Sequence, residues 1–287
     1  MTTHNVPNSS GTEPPRLKAP KNAADCHIHI YDPRYAPAVA RPSSSTVADY
    51  RLLQRRIGTS RVVIVTPRNY GTDNAVTVDA IAELGLDNAR GVAVLKPDVT
   101  DAQLKKMNDG GIRGLRFTIG NPETAVTSID MIEPLARRIA EYGWHVQLNA
   151  EPEQVVDAAA MLRRLACPVV FDHLGKLGLH GLDHPAYRVM RELIDAGRAW
   201  VKISGAYLNT KVGPPAYPES TPVARAFVEA APERAVWGSD WPHPTPKMPP
   251  DDAVLFDLLL EWVGDDATRT RILVQNPEAL YGFRSAA

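Results

Sequence analysis

The chain has 287 residues, 44% of them hydrophobic and 23% charged, a composition that builds a sizeable core and excludes intrinsic disorder for the bulk of the chain. Its 32 Lys and Arg against 33 Asp and Glu leave a net charge of -1, which excludes the concentrated positive field of a nucleic-acid or membrane-surface binder. The two cysteines, Cys26 and Cys167, form neither a disulfide framework nor a CxxC motif, so a reducing, cytoplasmic setting is expected.

In chain order, residues 1–23 are polar with several prolines and read as a flexible N-terminal arm. No run of apolar residues approaches the ~20 of a membrane span. From Ala24 onward, short Val- and Ile-rich runs alternate with amphipathic segments, the pattern of repeated βα units on a parallel sheet. Strands are predicted at Asp25–Ile30, Arg61–Val65, Arg90–Leu95, Gly114–Thr118, His145–Leu148, Val169–Asp172, Trp200–Ser204 and Ala235–Ser239. The helices that follow them are predicted at Val47–Arg56, Asn74–Leu84, Ala102–Asn108, Ile129–Tyr142, Glu153–Leu165, Tyr187–Ala196, Pro222–Ala230 and Ala253–Trp262. Asp73 and Asn74 suit the cap of the second helix, Gly143 suits a helix end and Pro152 a first helical turn. Eight such units predict a single-domain α/β fold over residues 24–287, a (β/α)8 TIM barrel. A helix at Thr268–Gln275 and the Asn276–Phe283 tail add the C-terminal closure. No GxGxxG follows a strand to suggest a dinucleotide site.

Polar residues at the carboxyl ends of barrel strands converge on one mouth. Strand one ends Asp25-Cys26-His27-Ile28-His29, strand six ends Asp172-His173 and strand eight ends Ser239-Asp240. Residues two apart in a strand share a side, so His27 and His29 point inward while Cys26, Ile28 and Ile30 pack outward. Arg116 shares the inward side with Gly114 and Thr118, whereas Arg113 faces the helices. His145 begins strand five, far from the mouth, and Asn149 lies near that strand's end. Lys202 is expected to pair with a carboxylate inside the barrel, because an isolated buried charge is costly. Arg68, Tyr70, Tyr207 and His243 lie on loops leaving strand ends, where they join Arg116 and Asn149 as candidate substrate contacts.

The segments Asp25-Cys26-His27-Ile28-His29, Phe171-Asp172-His173-Leu174-Gly175-Lys176 and Val236-Trp237-Gly238-Ser239-Asp240-Trp241-Pro242-His243-Pro244 resemble the amidohydrolase superfamily. Tyr70-Gly71-Thr72-Asp73-Asn74, Gly110-Gly111-Ile112-Arg113-Gly114-Leu115-Arg116-Phe117 and Gly143-Trp144-His145-Val146 are similar to its branch of 2-pyrone-4,6-dicarboxylate lactonases and D-galactarolactone isomerases. The superfamily resemblance implies one or two divalent metals held by the HxH pair, a Lys or Glu on strand four, His on strands five and six and Asp on strand eight. Strand four here offers Arg116 and Thr118, and strand five offers Asn149, which argues against a two-metal site. His27, His29, His173 and Asp240 remain the set for a single Zn²⁺, but the branch resembled works without a metal, so no cofactor is expected.

The same resemblance implies acyl chemistry on a small-molecule lactone, with His27, His29 and His173 stabilising the oxyanion and Asp240 as general acid/base. The segments Ile119-Gly120-Asn121-Pro122 and Gly205-Ala206-Tyr207-Leu208 lack the extra basic residues that pyrone dicarboxylate lactonases would imply. A hydroxylated sugar-acid lactone, rearranged as by a galactarolactone isomerase, is therefore the expected substrate, held by neutral donors and acceptors. Lactone hydrolysis is the alternative. A metal-dependent decarboxylase of the same superfamily and a non-catalytic binding barrel are the other readings.

Overall fold

Eight parallel strands run in chain order around a barrel: β1 (Ala24–Ile28), β2 (Arg61–Val65), β3 (Ala89–Ala93), β4 (Ile112–Thr118), β5 (His145–Asn149), β6 (Val169–Phe171), β7 (Ala199–Ile203) and β8 (Ala235–Trp237). The structure, a computed structural model, describes residues 5–37, 44–120, 125–246 and 248–285. The first and last strands meet just past their ends, where Asp240 N donates to His27 O and His29 N to Trp241 O, both at 2.8 Å. The Asp25 carboxylate stitches the same seam by accepting from Ser239 N at 2.9 Å and Ser239 Oγ at 2.6 Å. Gly238 permits this approach, since a Cβ there would lie 2.7 Å from both Cβ and N of His27.

Helices α1 (Val47–Ile57), α2 (Ala75–Leu84), α3 (Asp101–Asp109) and α4 (Ile132–Ile139) cover the first half of the sheet. The second half carries α5 (Pro152–Asp157), α6 (Ala159–Arg164), α7 (Pro185–Asp195), α8 (Ser220–Ala230), α9 (Asp252–Asp257), α10 (Leu259–Trp262), α11 (Asp266–Thr270) and α12 (Asn276–Tyr281). Local chemistry fixes several boundaries. Capping boxes start α1 at Thr46 and α3 at Thr100, and Gly58 ends α1 in the left-handed conformation.

Some predicted helices are subdivided. The segment 153–165 breaks at Ala158, whose ψ of -4° turns the chain, and 253–262 divides at Leu258. Only Ile132–Ile139 of 129–142 is α-helical, the flanking residues tightening into 3-10 turns before Gly143 at φ 68°. The 268–275 helix starts earlier, at Asp266, and widens to a π turn over Arg271–Gln275. Asp73 does cap α2, through Ala75 N. Asn74 does not, because its carboxamide accepts from Thr66 Oγ1 and Val94 N and so ties β2 to β3.

The expected outward position of Cys26 is corrected. β1 pairs Asp25 with Val62 but Ile28 with Ile64, three steps against two, and this bulge switches the side-chain parity. Cys26 therefore joins Val63, Val65, Val92, Val170 and Val236, the inner layer, while Ile28 packs with the helix-facing core. Tyr281 and Phe283 of the C-terminal segment close the same inner layer, with the Arg61 and Arg90 guanidinium groups 5.4 and 4.9 Å from the Phe283 ring.

Residues 5–23, read from sequence as a flexible arm, lie against the barrel. Val6 and Leu17 are buried, Trp241 Nε1 donates to Pro7 O, and Arg56 donates to Glu13 O and Ser9 Oγ. Of the loop after β4, Asn121 and Pro122 lie outside the described residues. No helix among the described residues is long and apolar enough to cross a membrane.

Candidate active site

The bulge that turns Cys26 inward also leaves His27 and His29 on the barrel interior, at the end of β1. Asp240 and His173 follow β8 and β6 with φ of 65° and 52°, left-handed conformations that are uncommon for residues with a Cβ. Such conformations cost of order 1–3 kcal/mol each and persist where the surrounding structure enforces them. Here they turn both side chains over the mouth. Gly205 completes the turn after β7, since a Cβ there would lie 2.8 Å from His173 Nδ1.

Three imidazoles converge on one carboxylate. Asp240 Oδ1 lies 3.5 Å from His27 Nε2 and 3.6 Å from His29 Nε2, and Oδ2 lies 3.9 Å from His173 Nε2. Tyr207 donates its hydroxyl to Oδ2 at 2.5 Å. Burial alone would raise the Asp240 pKa, but the facing His173, His27 and His29 and the Tyr207 hydrogen bond hold it well below the usual carboxylate range. Burial in turn lowers the imidazoles, His29 to about 4 with Arg116 adding to the effect, so they are neutral at pH 7 beside an ionised Asp240.

Beneath this layer Asp172 anchors a second one. Its Oδ2 accepts from Arg116 Nε and Gln147 Nε2, both at 3.1 Å, and its Oδ1 lies 3.4 Å from His27 Nδ1 and 3.7 Å from Lys202 Nζ. Lys202, wholly buried, donates to Gln147 Oε1 at 2.7 Å and Cys26 O at 2.9 Å, and its Nζ lies 3.4 Å from His27 Nδ1. The expected carboxylate is thus beside it, with three uncharged acceptors closer still.

Above the carboxylate opens a cavity of about 800 Å³, with His29, His173 and Asp240 at its base and Arg68, Arg116, Asn149, Tyr31 and Lys176 on its walls. Arg116 also lines a side recess with Thr66, Arg68 and Thr118. Three expected substrate contacts, His243, Tyr70 and Tyr207, are displaced. His243 is buried with Nε2 3.1 Å from Asp252 Oδ1 and supports the Tyr207 ring edge-to-face at 5.1 Å. Tyr70 is buried under Tyr31 and donates to Asp32 O. Tyr207 meets Asp240 rather than the open cavity. His145 lies at the opposite end of β5 against Tyr281, and Arg113 bonds Asn108 O on α3, both as expected. Gln147 and Tyr31 escaped the sequence reading. Gln147 shares its strand side with Asn149 and was legible by parity; Tyr31 lies beyond the end of β1, where alternation no longer applies.

The ligand atoms of His27, His29 and Asp240 lie within 4.8 Å of one another, close enough to surround one ion. A metal-bound imidazole ordinarily donates its other ring N–H to an acceptor. His29 meets that condition, with Nδ1 2.8 Å from Val65 O. His27 Nδ1 instead lies in hydrogen-bonding position to the Lys202 ammonium, which has hydrogens to give and no lone pair, while Asp172 Oδ1 at 3.4 Å makes no hydrogen bond among the described residues. With Arg116 and Asn149 where the superfamily places further ligands, the residues do not fit its metal centre.

The family described as Amidohydrolase matches residues 24–283. A 4-sulfomuconolactone hydrolase of Hydrogenophaga intermedia is 34% identical over 282 residues, covering 94% of this chain and 91% of that protein. A D-galactarolactone isomerase of Agrobacterium fabrum (strain C58) is 32% identical over 285 residues, covering 95% and 94%. An apo crystal structure from Agrobacterium tumefaciens superposes with a TM-score of 0.88 at 30% identity, covering 97% of this chain and 99% of that one. Both named relatives act on lactones by name, one opening and one rearranging its substrate. From the HxH pair on β1 to Asp240 after β8, the chain is an enzyme that belongs to the amidohydrolase family.

Proposed function

We propose that the protein rearranges or opens a sugar-acid lactone by metal-free acyl transfer, with Asp240 as general acid/base. The observation that carries this reading is the pair Asp240 Oδ1 and His29 Nε2, 3.6 Å apart at the base of the cavity. His29 gives its one ring hydrogen to Val65 O, so both facing atoms are acceptors. A water over this pair can give one hydrogen to each acceptor, and a substrate hydroxyl can give its single hydrogen to Asp240 Oδ1. A water or a substrate hydroxyl seated there is positioned to attack a carbonyl lying above it.

Asp240 takes the proton as the nucleophile adds, and the same carboxylic acid returns it to the departing ring oxygen, so the carboxylate is regenerated at each turnover. This reading assigns His173, at the base of the cavity, and His27, buried behind Asp240, as the imidazole N–H donors that stabilise the carbonyl oxygen as it gains charge. The Arg116 guanidinium, next to Thr66 and Thr118 in the side recess, gives a planar fork for a carboxylate of the substrate.

Incubating the enzyme with galactaro- and glucaro-lactones and following the products by NMR tests the reading. Conversion of at least one lactone, slowed about 10²–10⁴-fold in Asp240→Asn, is expected; a panel left unchanged by folded protein overturns it. Hydrolysis remains the second reading because a named relative at 34% identity is a hydrolase.

A further inference from the structure

We propose that Lys202 sets the hydrogen of His27 on Nε2, giving the two HxH histidines opposite tautomers and denying His27 to a metal ion. The argument begins with valence. An ammonium has three hydrogens, and Lys202 has three acceptors in hydrogen-bonding position: Gln147 Oε1, Cys26 O and His27 Nδ1. Wholly buried, it finds no water to satisfy a hydrogen released from any of them. Asp172 Oδ1 lies as close to His27 Nδ1, at 3.4 Å, yet makes no hydrogen bond among the described residues, so that contact is electrostatic. Asp172 balances the lysine's charge and Lys202 takes the imidazole lone pair.

A neutral imidazole that accepts at Nδ1 carries its hydrogen on Nε2. Nε2 of His27 is buried, has no hydrogen-bond partner among the described residues and lies 3.5 Å from Asp240 Oδ1. It is a donor whose facing oxygen is the ionised Asp240 Oδ1, beyond normal hydrogen-bond length. His29 has the reverse arrangement, with hydrogen on Nδ1 toward Val65 O and a lone pair on Nε2. A divalent ion bridging both Nε2 atoms needs a lone pair from each. Binding through His27 would require its hydrogen to move to Nδ1, directly against the ammonium. Lys202 is a positioning residue in this scheme, two layers below the cavity.

The catalytic consequence, His27 as oxyanion donor and His29 as acceptor for the nucleophile, rests on the lactone reading. The tautomers and the metal exclusion do not, so the test below stands or falls separately from substrate turnover.

The experiment uses full-length protein with ¹⁵N-labelled histidine, long-range proton–nitrogen correlation spectra near pH 7.5, and assignment by loss of the signal in His27→Gln and His29→Gln. In the wild type, His27 is expected to show a protonated, pyrrole-type Nε2 and His29 a protonated Nδ1. Lys202→Met should move the His27 hydrogen to Nδ1, where Asp172 Oδ1 becomes its acceptor. Zn²⁺ is then titrated calorimetrically in a His180→Ala, His184→Ala background, because those rings form a separate three-ligand group with Glu153 at the rim. Adding Lys202→Met should create one Zn²⁺ site at least tenfold tighter than before and dependent on His29. A wild-type His27 protonated on Nδ1 overturns the proposal, and that result needs no variant to fold. Zn²⁺ binding equally tight with and without Lys202 overturns it as well.

Discussion

Tyr207 donates its hydroxyl to Oδ2 of Asp240 at 2.5 Å, which leaves Oδ1 as the oxygen that faces His27 and His29. The bond both aims the carboxylate and contributes to its low pKa. Tyr207→Phe removes a donor to an anion, so the Asp240 pKa moves up toward the ordinary range. Wild-type kcat should show no acid limb from Asp240 at any pH where the protein is folded. The variant should lose about tenfold in kcat, roughly 1.4 kcal/mol of barrier, and acquire a limb at higher pH. Superimposable pH profiles would show that the hydroxyl does not hold the carboxylate.

Asp240→Asn keeps the shape of the side chain while removing its capacity to accept and return a proton. The expected loss is about 10²–10⁴ in kcat, the range for a positioned acid/base group. Thermal unfolding measured alongside separates this loss from a loss of fold. Near-normal turnover by the folded variant would remove Asp240 from the mechanism.

How much of this site was legible beforehand depended on whether a residue's neighbours are set by strand periodicity. His27, His29, Arg116 and Asp240 follow from alternation and from the rule that barrel strand ends converge. Cys26 fails the same rule because a β-bulge reverses parity, and a bulge leaves no mark in a run of five residues such as Ala24–Ile28. His243 has the same distance from β8 as many loop residues that reach a cavity, but its partner, Asp252, is supplied by α9. Lys202 was legible as buried and paired. Its hydrogen bonds to Cys26 O and Gln147 were not, since they depend on the spacing of three strands across the barrel.

His145 predicts an acid weakness at the floor of the barrel. Both its ring nitrogens are buried without hydrogen-bond partners among the described residues, its ring lies edge-on to Tyr281 at 5.3 Å, and burial pulls its pKa down to about 3. The unfolded chain binds this proton below about pH 6.5 and the folded chain does not until about pH 3. Between those values the unfolded state carries more protons, so stability falls as pH falls. His145→Phe removes the titration and preserves a ring in the space left by Gly114. Relative to its effect at pH 7.5, the substitution should gain about 3 kcal/mol of stability at pH 4.5, two units below the unfolded value. Urea midpoints at both pH values measure it, and an equal effect at both would show that His145 is not the group protonated on acid unfolding.

In the proposed mechanism, the choice between rearranging and opening a lactone comes down to whether a substrate hydroxyl or a water donates to Asp240 Oδ1 beside His29 Nε2. In the proposed reaction every other group serves both outcomes, with His27 and His173 assigned to the carbonyl oxygen whichever nucleophile adds. A hydroxyl of the bound substrate brings the effective concentration of an intramolecular nucleophile, up to about 10⁵ M or more when well oriented, far above that of water. Where a sugar acid places such a hydroxyl beside the carbonyl, it should win, and an aldaric 1,5-lactone should pass mainly to the 1,4-lactone with slower net hydrolysis. In ¹⁸O-labelled water this predicts an unlabelled 1,4-lactone as the first product, followed slowly by open-chain acid with label in its new carboxylate. Prompt, stoichiometric label in an open-chain product would instead mean that water holds the place between Asp240 and His29, and would make the enzyme a lactone hydrolase.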